Sequence, residues 1–275
     1  MRPGSRLEKV CFFLAQILMA VIILCPILYA LDMSFLPLSQ IFSKPLKLIP
    51  KKIDFSYYAI AFRRAPLIRY LFNTLLVSCS ITIGQVLLAC LTAFSFSYFE
   101  FKGKGLLFML ILATMMIPGE SIVLSNYLTM GELGLLDTYL ALVLPSLASA
   151  TSIFFMRQAF LQTPRELYEV ACMEGCSNLR FLFTILIPLS KGSMGAVGIY
   201  TFINAWNAYM WPLLATNTDK MRTVQIGIGM LLDAEAADYN VMMAAVIIVM
   251  LPTLLIFTFG QKYILSGALS GAVKG

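Results

Sequence analysis

Histidine is absent from all 275 residues. That removes the commonest metal ligand, the usual proton shuttle and the ordinary general base, and with them zinc hydrolases and His-based triads. Charge is scarce as well: 12% of the residues are Asp, Glu, Lys or Arg, against 60% hydrophobic. A soluble domain of this size needs far more charge to cover its surface, so lipid is the solvent for most of the chain. The six cysteines form no disulfide framework. Cys11, Cys25, Cys79 and Cys90 lie in apolar runs, where a thiol behaves as a small hydrophobe. Cys172 and Cys176 are four apart, but without a histidine or another nearby cysteine they do not read as a zinc site. The net charge of +6 is explained by membrane topology rather than by nucleic acid.

Long apolar runs are abundant. A membrane-spanning helix needs about 20 mostly apolar residues, and six runs qualify: Val10–Leu31, Leu71–Phe99, Gly105–Leu128, Thr138–Met156, Gly192–Thr218 and Tyr239–Gln261. The expected fold class is therefore an all-α membrane protein with six transmembrane helices. Arg2, Arg6 and Lys9 precede the first run, as in a signal peptide. Its core is longer than an h-region, and Tyr29-Ala30-Leu31 gives no small-x-small cleavage site, so it reads as a retained anchor. A cytoplasmic N-terminus puts Arg2, Arg6, Lys9, Lys102, Lys104, Arg157, Arg165, Arg180, Lys191, Lys262 and Lys274 inside and Lys44, Lys47, Lys51, Lys52, Arg63, Arg64, Arg69, Lys220 and Arg222 outside, a count that favours this orientation only narrowly under the positive-inside rule. The acids Asp32, Asp54, Glu120, Glu132, Asp137, Asp219, Asp233, Glu235 and Asp238 then fall outside or at the outer rim. This divides the chain into a cytoplasmic 1–9, a first span 10–31, an outer loop 32–69, a core 70–262 with five spans, and a cytoplasmic tail 263–275. Within the outer loop, Ser56–Ala65 reads either as a short interfacial helix or as irregular chain. Lys44, Lys47, Lys51 and Lys52 of the same loop suit lipid headgroups.

The stretch 158–191 is too charged to cross a bilayer and too patterned for a plain linker. Thr163 can cap a helix, Pro164 suits its first position, and Glu166 completes a capping box. Leu167, Val170 and Ala171 recur at helical spacing. Gly175 follows the last turn, where a left-handed residue ends a helix without a Cβ penalty. A second helix from about Asn178 runs through Ile187-Pro188 into the fifth span. The pattern is a helix-turn-helix whose exposed face mixes small, apolar and acidic groups. Such a face docks into a partner's groove, or belongs to an ordinary amphipathic loop.

Pro164-Arg165-Glu166-Leu167-Tyr168-Glu169-Val170-Ala171-Cys172-Met173-Glu174-Gly175, followed by Ile187-Pro188-Leu189, resembles the EAA loop of ABC importer permeases. Val170 replaces the family's middle Ala, and Glu174 stands where Asp is usual. The resemblance continues through Tyr70-Leu71-Phe72-Asn73-Thr74, Met116-Ile117-Pro118, Gly134-Leu135-Leu136-Asp137-Thr138, Phe202-Ile203-Asn204-Ala205-Trp206-Asn207, Trp211-Pro212 and the tail Ser270–Gly275. Together these resemble the second permease of carbohydrate-type importers, the maltose G-subunit class, with a look closest to the glycerol-3-phosphate permease of the E type.

That resemblance implies the type I ABC importer permease fold in a bacterial inner membrane, N- and C-termini cytoplasmic. It implies a second permease subunit, an ATPase homodimer or heterodimer and an external solute-binding protein as partners, and no nucleic acid. No cofactor is expected in this chain; ATP and Mg belong to the partner ATPase, so the chain is a translocation subunit and not an enzyme. Pro164, Glu166, Leu167, Glu169, Val170, Ala171, Glu174, Gly175 and Pro188 would couple to the ATPase, with Glu169 pairing a basic group there. The implied solute is a carbohydrate or polyol: sugar, oligosaccharide or glycerol phosphate. Asn204, Trp206, Asn207, Tyr209 and Trp211 are candidates for the substrate path, since aromatic faces pack on sugar rings and amides bond hydroxyls. The same residues also suit helix–helix packing and hydrogen bonding. The competing class is an ion-coupled transporter or channel, against which the near absence of charge in the spans argues.

Overall fold

The apolar runs fold as helices of two kinds, single long ones and pairs broken at a proline or a capping residue. The computed structural model describes residues 6–37, 40, 53–233 and 239–272; among these there is helix and no strand. Lys44, Lys47, Lys51, Lys52, Glu235, Asp238 and the end of the tail lie outside the described residues.

Among the described residues, three helices are individually long and apolar enough to cross a membrane. They are α1 (Arg6–Met33), α3 (Leu67–Tyr98) and α13 (Tyr239–Ala272), which follows the shorter α12 (Val224–Asp233), through their segments Val10–Met33, Leu67–Tyr98 and Tyr239–Thr258. At 1.5 Å per residue the 32 residues of α3 reach about 48 Å, well beyond the roughly 30 Å hydrocarbon layer. The other three expected spans are not continuous rods. Gly105–Leu128 is divided into α4 (Lys104–Thr114) and α5 (Gly119–Glu132), which meet at 96°. Pro118 sits at the N-cap of α5 with extended ψ; lacking an N–H, it cannot carry the ladder across the break. Thr138–Met156 is divided into α6 (Tyr139–Val143, tightened through Leu144–Ser146) and α7 (Ala150–Leu161), at 50°. Pro145 lies before the break, and Ser149 caps α7 by accepting from the Ser152 N–H.

The fifth run departs most. Its main helix, α10 (Lys191–Trp206), stops at Trp206 rather than at Thr218. The chain resumes as α11 (Met210–Ala215). On its other side α10 meets the segment Asn178–Leu189 at 84° across Ser190. This segment, α9, passes through a π-helical stretch at Leu182–Leu186. Pro188 follows that stretch, and a proline inside a helix frees the carbonyl one turn back, which a wider turn accommodates.

Packing divides the chain into two compact units, Met1–Leu67 with Gly227–Leu251, and Ile68–Ile226 with Pro252–Gly275. In the first unit the residues just after α1 meet those around Phe55 and Tyr58. Phe35 packs edge-on to Phe55 at 5.3 Å, Ser34 Oγ lies 2.8 Å from Tyr58 Oη, and Asn240 Nδ2 donates to Leu36 O at 3.3 Å. Ser56–Arg64 is helical, α2, and not irregular chain. Asp54 starts it by accepting from the Ser56 N–H at 2.8 Å.

The second unit is organised along α3. Towards the Tyr98 end, Ala89, Ala93 and Phe94 pack with Met156 and Phe160 of α7, Phe181 and Leu186 of α9, and Val197 of α10. Towards the Leu67 end, Val77 and Ile81 pack with Met130, Leu142 and Ala215. Small residues on α3 let its neighbours approach closely, the packing mode of helices in lipid. Between the two cores Gln85 Nε2 donates to Ser152 Oγ at 2.6 Å and to Thr201 Oγ1 at 3.1 Å. One buried amide thus ties α3, α7 and α10 together.

Candidate functional site

The loop between α7 and α10 carries the first group of candidate residues. Its helix α8 spans Arg165–Met173. Pro164 occupies the N-cap with φ −56° and ψ 133°, and no side chain caps there. The expected start is therefore corrected by one residue: Pro164 lies outside the helix, and no capping box forms between Thr163 and Glu166. The far end follows expectation closely. Gly175 has φ +74°, its N–H bonds Cys172 O at 3.0 Å, and the Cys176 N–H bonds Ala171 O at 2.9 Å. This paired pattern is a Schellman cap.

The inner face of α8 is held by rings. Tyr168 lies 5.0 Å from Tyr98 and 5.1 Å from Phe181, with Phe94 at 6.2 Å. Its hydroxyl donates to Asn178 Oδ1 at 2.8 Å, and Ala171 is buried in the same core. These contacts join α8 to both α3 and α9. The opposite face is open: Leu167 is 44% exposed, Val170 51% and Met173 79%. Glu166, Glu169 and Glu174 are exposed beside them. Leu167, Val170, Ala171 and Glu174 also line a groove of about 480 Å³ that Arg180 and Thr184 of α9 close on the other side. Pro188 sits apart from α8, two residues before the Ser190 bend. Sequence reasoning missed Tyr168 as the anchor; the signal was an aromatic one residue off the apolar stripe, with Phe94, Tyr98 and Phe181 to receive it.

The second group is only partly brought together. A cavity of about 330 Å³ runs along α3, lined by Thr74, Val77, Ile81 and Gln85 on that helix. Ser146, Ser149, Tyr200, Thr201, Asn204, Trp211 and Thr223 line its other sides. Of the expected path residues, Asn204 and Trp211 are on the lining. Trp206 is buried, stacked on Phe202 at 5.6 Å. Asn207 closes α10 by donating to Ile203 O at 2.9 Å, and its Oδ1 accepts from Gln225 at 3.3 Å. Tyr209 is 45% exposed at the break after α10. Gln85 and Tyr200 had not been singled out. An amide in the middle of an apolar run was the available signal for Gln85.

A third arrangement holds the loops at the Leu67 end. Asn73, fully buried, donates to Lys220 O and Arg222 O at 2.9 and 2.8 Å and accepts from Tyr139 Oη at 2.7 Å. Tyr70 Oη donates to Asp219 at 2.9 Å, and Thr74 Oγ1 accepts from the Val224 N–H at 2.9 Å. Asp137, in the left-handed region at φ 60°, accepts from Asn217 N, Thr218 N and Thr218 Oγ1 at 2.8–3.0 Å. Burial pushes the Asp137 carboxyl up; these hydrogen bonds and the Arg222 charge outweigh it and hold the group below the usual carboxylate range.

Known proteins share this architecture. The crystal structure of a bacterial ABC transporter involved in the import of the acidic polysaccharide alginate contains a chain that superposes with a TM-score of 0.81. The match covers 96% of this chain and 99% of that one at 22% identity, and shows the fold. The arabinooligosaccharides transport system permease protein AraQ of Bacillus subtilis is 32% identical over 99% of this chain and 98% of its own length. The sn-glycerol-3-phosphate transport system permease protein UgpE of Yersinia enterocolitica is 34% identical over 90% of each chain. Residues 85–268 match the family of binding-protein-dependent transport system inner membrane components. With that match and relatives aligned along nearly its whole length, the chain belongs to this family and is a membrane-spanning permease subunit of an ABC importer.

Proposed function

We propose that this chain couples a partner ATPase to the import of a carbohydrate or polyol-type solute. The observation that carries the reading is α8: a short helix capped at Gly175, fixed to α3 and α9 by Tyr168, with its apolar and acidic face uncovered. The full complex would hold a second permease, a pair of ATPase subunits with their ATP and Mg, and an external binding protein. The names of the relatives, one carrying arabinooligosaccharides and others sn-glycerol-3-phosphate, support the solute class. Segments 1–9, 158–191 and 263–275 would face the cytoplasm, and the Asp137 and Asp219 loops the outside.

In this mechanism ATP closes the ATPase pair, and the cleft that receives Leu167, Val170 and Met173 moves α8. Rigid ring packing passes the displacement to α3 and α9, and the broken helices tilt to reverse access. Glu169 would meet a basic group of the ATPase. Removing one partner of a desolvated pair costs about 2–5 kcal/mol.

The test is co-purification with the neighbouring subunits, followed by uptake in proteoliposomes. Glu169→Ala should lower ATPase association and solute uptake by roughly thirtyfold or more, the lower end of that energy range. Association and uptake at wild-type levels in Glu169→Ala would remove the coupling role.

A further inference from the structure

The helix α4 buries none of its residues, and Leu106, Leu107, Met109 and Leu110 are exposed. Its continuation across the 96° break is anchored: Met130 of α5 lies in the core with Val77, Ile81 and Leu142. Apolar burial therefore fixes α5 and leaves the position of α4 to other contacts. Phe108 makes one of them. Arg157 Cζ of α7 lies 4.4 Å from the Phe108 ring centroid, within cation–π range. Phe108 also packs on Phe96 of α3 at 5.4 Å, and Arg157 Nε donates to Phe96 O at 3.3 Å. That carbonyl belongs to the last turn of α3, which lacks intrahelical N–H partners and carries the negative end of the helix dipole. One guanidinium thus joins α3, α4 and α7. Arg157 is also the one charged residue of the broken span Tyr139–Leu161, and an ionisable side chain in such a segment is expensive to keep. No acidic side chain pairs with it among the described residues. What it contributes is a planar face on a ring and a fixed N–H on a carbonyl, a combination lysine does not reproduce.

We infer that Arg157 is a positioning residue for energy coupling: it makes α4 follow α7 and α8, so that a displacement of α8 changes the angle between α4 and α5. Three residues, 162–164, separate α7 from α8, so the two helices move together. The rings around Tyr168 reach α3 and α9; Arg157 adds a route to α4. Met130 holds the far end of the broken span, Arg157 carries the near end, and the break before Pro118 takes up the change. A second tie runs from α8 to the same corner: Arg165 Nη1 lies 3.9 Å from Glu100 Oε1, which Lys104 Nζ meets at 3.1 Å. Arg165 and Glu100 are both more than half exposed, and an ion pair of that kind contributes little. The half-buried Arg157 is therefore the residue that holds the corner. The inference rests on the importer reading above.

The experiment uses the assembled complex in proteoliposomes. Uptake per ATP hydrolysed is read with radiolabelled arabinotriose and sn-glycerol-3-phosphate. The α4–α5 separation is read by electron paramagnetic resonance between spin labels introduced through an unnatural amino acid at the exposed Leu110 and Leu128, with and without ATP and vanadate. Arg157→Leu and Phe108→Leu should each lower uptake per ATP about tenfold, the loss of a cation–ring contact and of what it aligns, while ATP hydrolysis stays within about twofold. The double variant should be no worse than either single one, because both remove the same contact, and Phe108→Tyr, which keeps the ring, should restore coupling. Glu100→Gln should stay within about twofold of wild type. The label separation should change on vanadate trapping in wild type and stay fixed in Arg157→Leu, a readout that decides the matter whichever solute is carried. Additive losses in the double variant, ATP hydrolysis that falls in step with uptake, or a nucleotide-driven change that persists in Arg157→Leu overturns the assignment. A loss in Glu100→Gln as large as in Arg157→Leu overturns it too, since the ion pair would then be the route. Failure of the wild-type chain to recruit an ATPase is a separate result: it refutes the importer reading and takes this joint with it.

Discussion

The cap at Gly175 gives a prediction whose size can be worked out. At φ +74° the residue sits in the left-handed region, and a Cβ built there meets nothing within 4 Å. The cost of a substitution is thus one of backbone strain within this chain and not of space. For alanine that strain is about 1–2 kcal/mol, offset by about 0.4–1 kcal/mol of entropy removed from the unfolded chain. The net is about 1 kcal/mol, roughly a fivefold shift in the population of the capped turn. Asparagine tolerates this conformation and should sit near wild type despite its larger side chain. Proline is fixed near φ −65° and lacks the N–H that bonds Cys172 O at 3.0 Å; it should cost about 3 kcal/mol or more. Solute uptake per ATP hydrolysed, measured for the Ala, Asn and Pro variants in proteoliposomes, should fall in the order Gly, Asn, Ala, Pro. An Asn variant worse than Ala, with loss graded by side-chain size, would refute the cap argument and point to close approach of a partner at this turn.

Two other perturbations test the joints around the site. Tyr168→Leu loses two close ring pairs, each worth about 0.5–1.5 kcal/mol, and should uncouple uptake from ATP hydrolysis while ATPase binding persists; Tyr168→Phe gives up only the Asn178 hydrogen bond, about 1 kcal/mol, and should stay coupled. Equal behaviour of the two variants would show that the rings transmit nothing. Asp137 is held below its ordinary range, so its contribution is fully present above the unfolded-state value near about 3.9 and is lost as pH falls through the folded one. The Tm gap between wild type and Asp137→Asn should be constant near neutral pH and close below the carboxylate range; a gap that persists in acid would place the effect outside the carboxylate.

What the sequence displayed depended on how local each cause is. The Gly175 turn was legible because a helix stop is written in adjacent residues. The long helices were legible from apolar run length. The breaks at Pro118 and Ser149 were visible as residue types, but apolar content does not distinguish a continuous span from two pieces. The motif Tyr70–Thr74 could be noticed and not understood. Its meaning lies about 150 residues away, where Tyr70, Asn73 and Thr74 satisfy the backbone and side chains of 219–224. For the same reason Asn204 reached the cavity and Trp206 did not: two positions on α10 are about 200° apart around the helix, and α3 settles which side is lined.

The same geometry explains a departure from the family pattern. Val170 stands where a second small residue is usual, and added bulk in a packed interior costs about 1–3 kcal/mol. Val170, however, is 51% exposed, whereas its neighbour Ala171 is 8% exposed, lies in the core with Phe94 and Phe181, and lends its carbonyl to Cys176. Only position 171 is therefore closed to a larger side chain by this chain's own packing. The extra methyl groups of Val170 fall on the uncovered face with Leu167 and Met173. Their effect belongs to the fit of whatever covers α8, while the folding of the loop depends on Ala171, Tyr168 and Gly175.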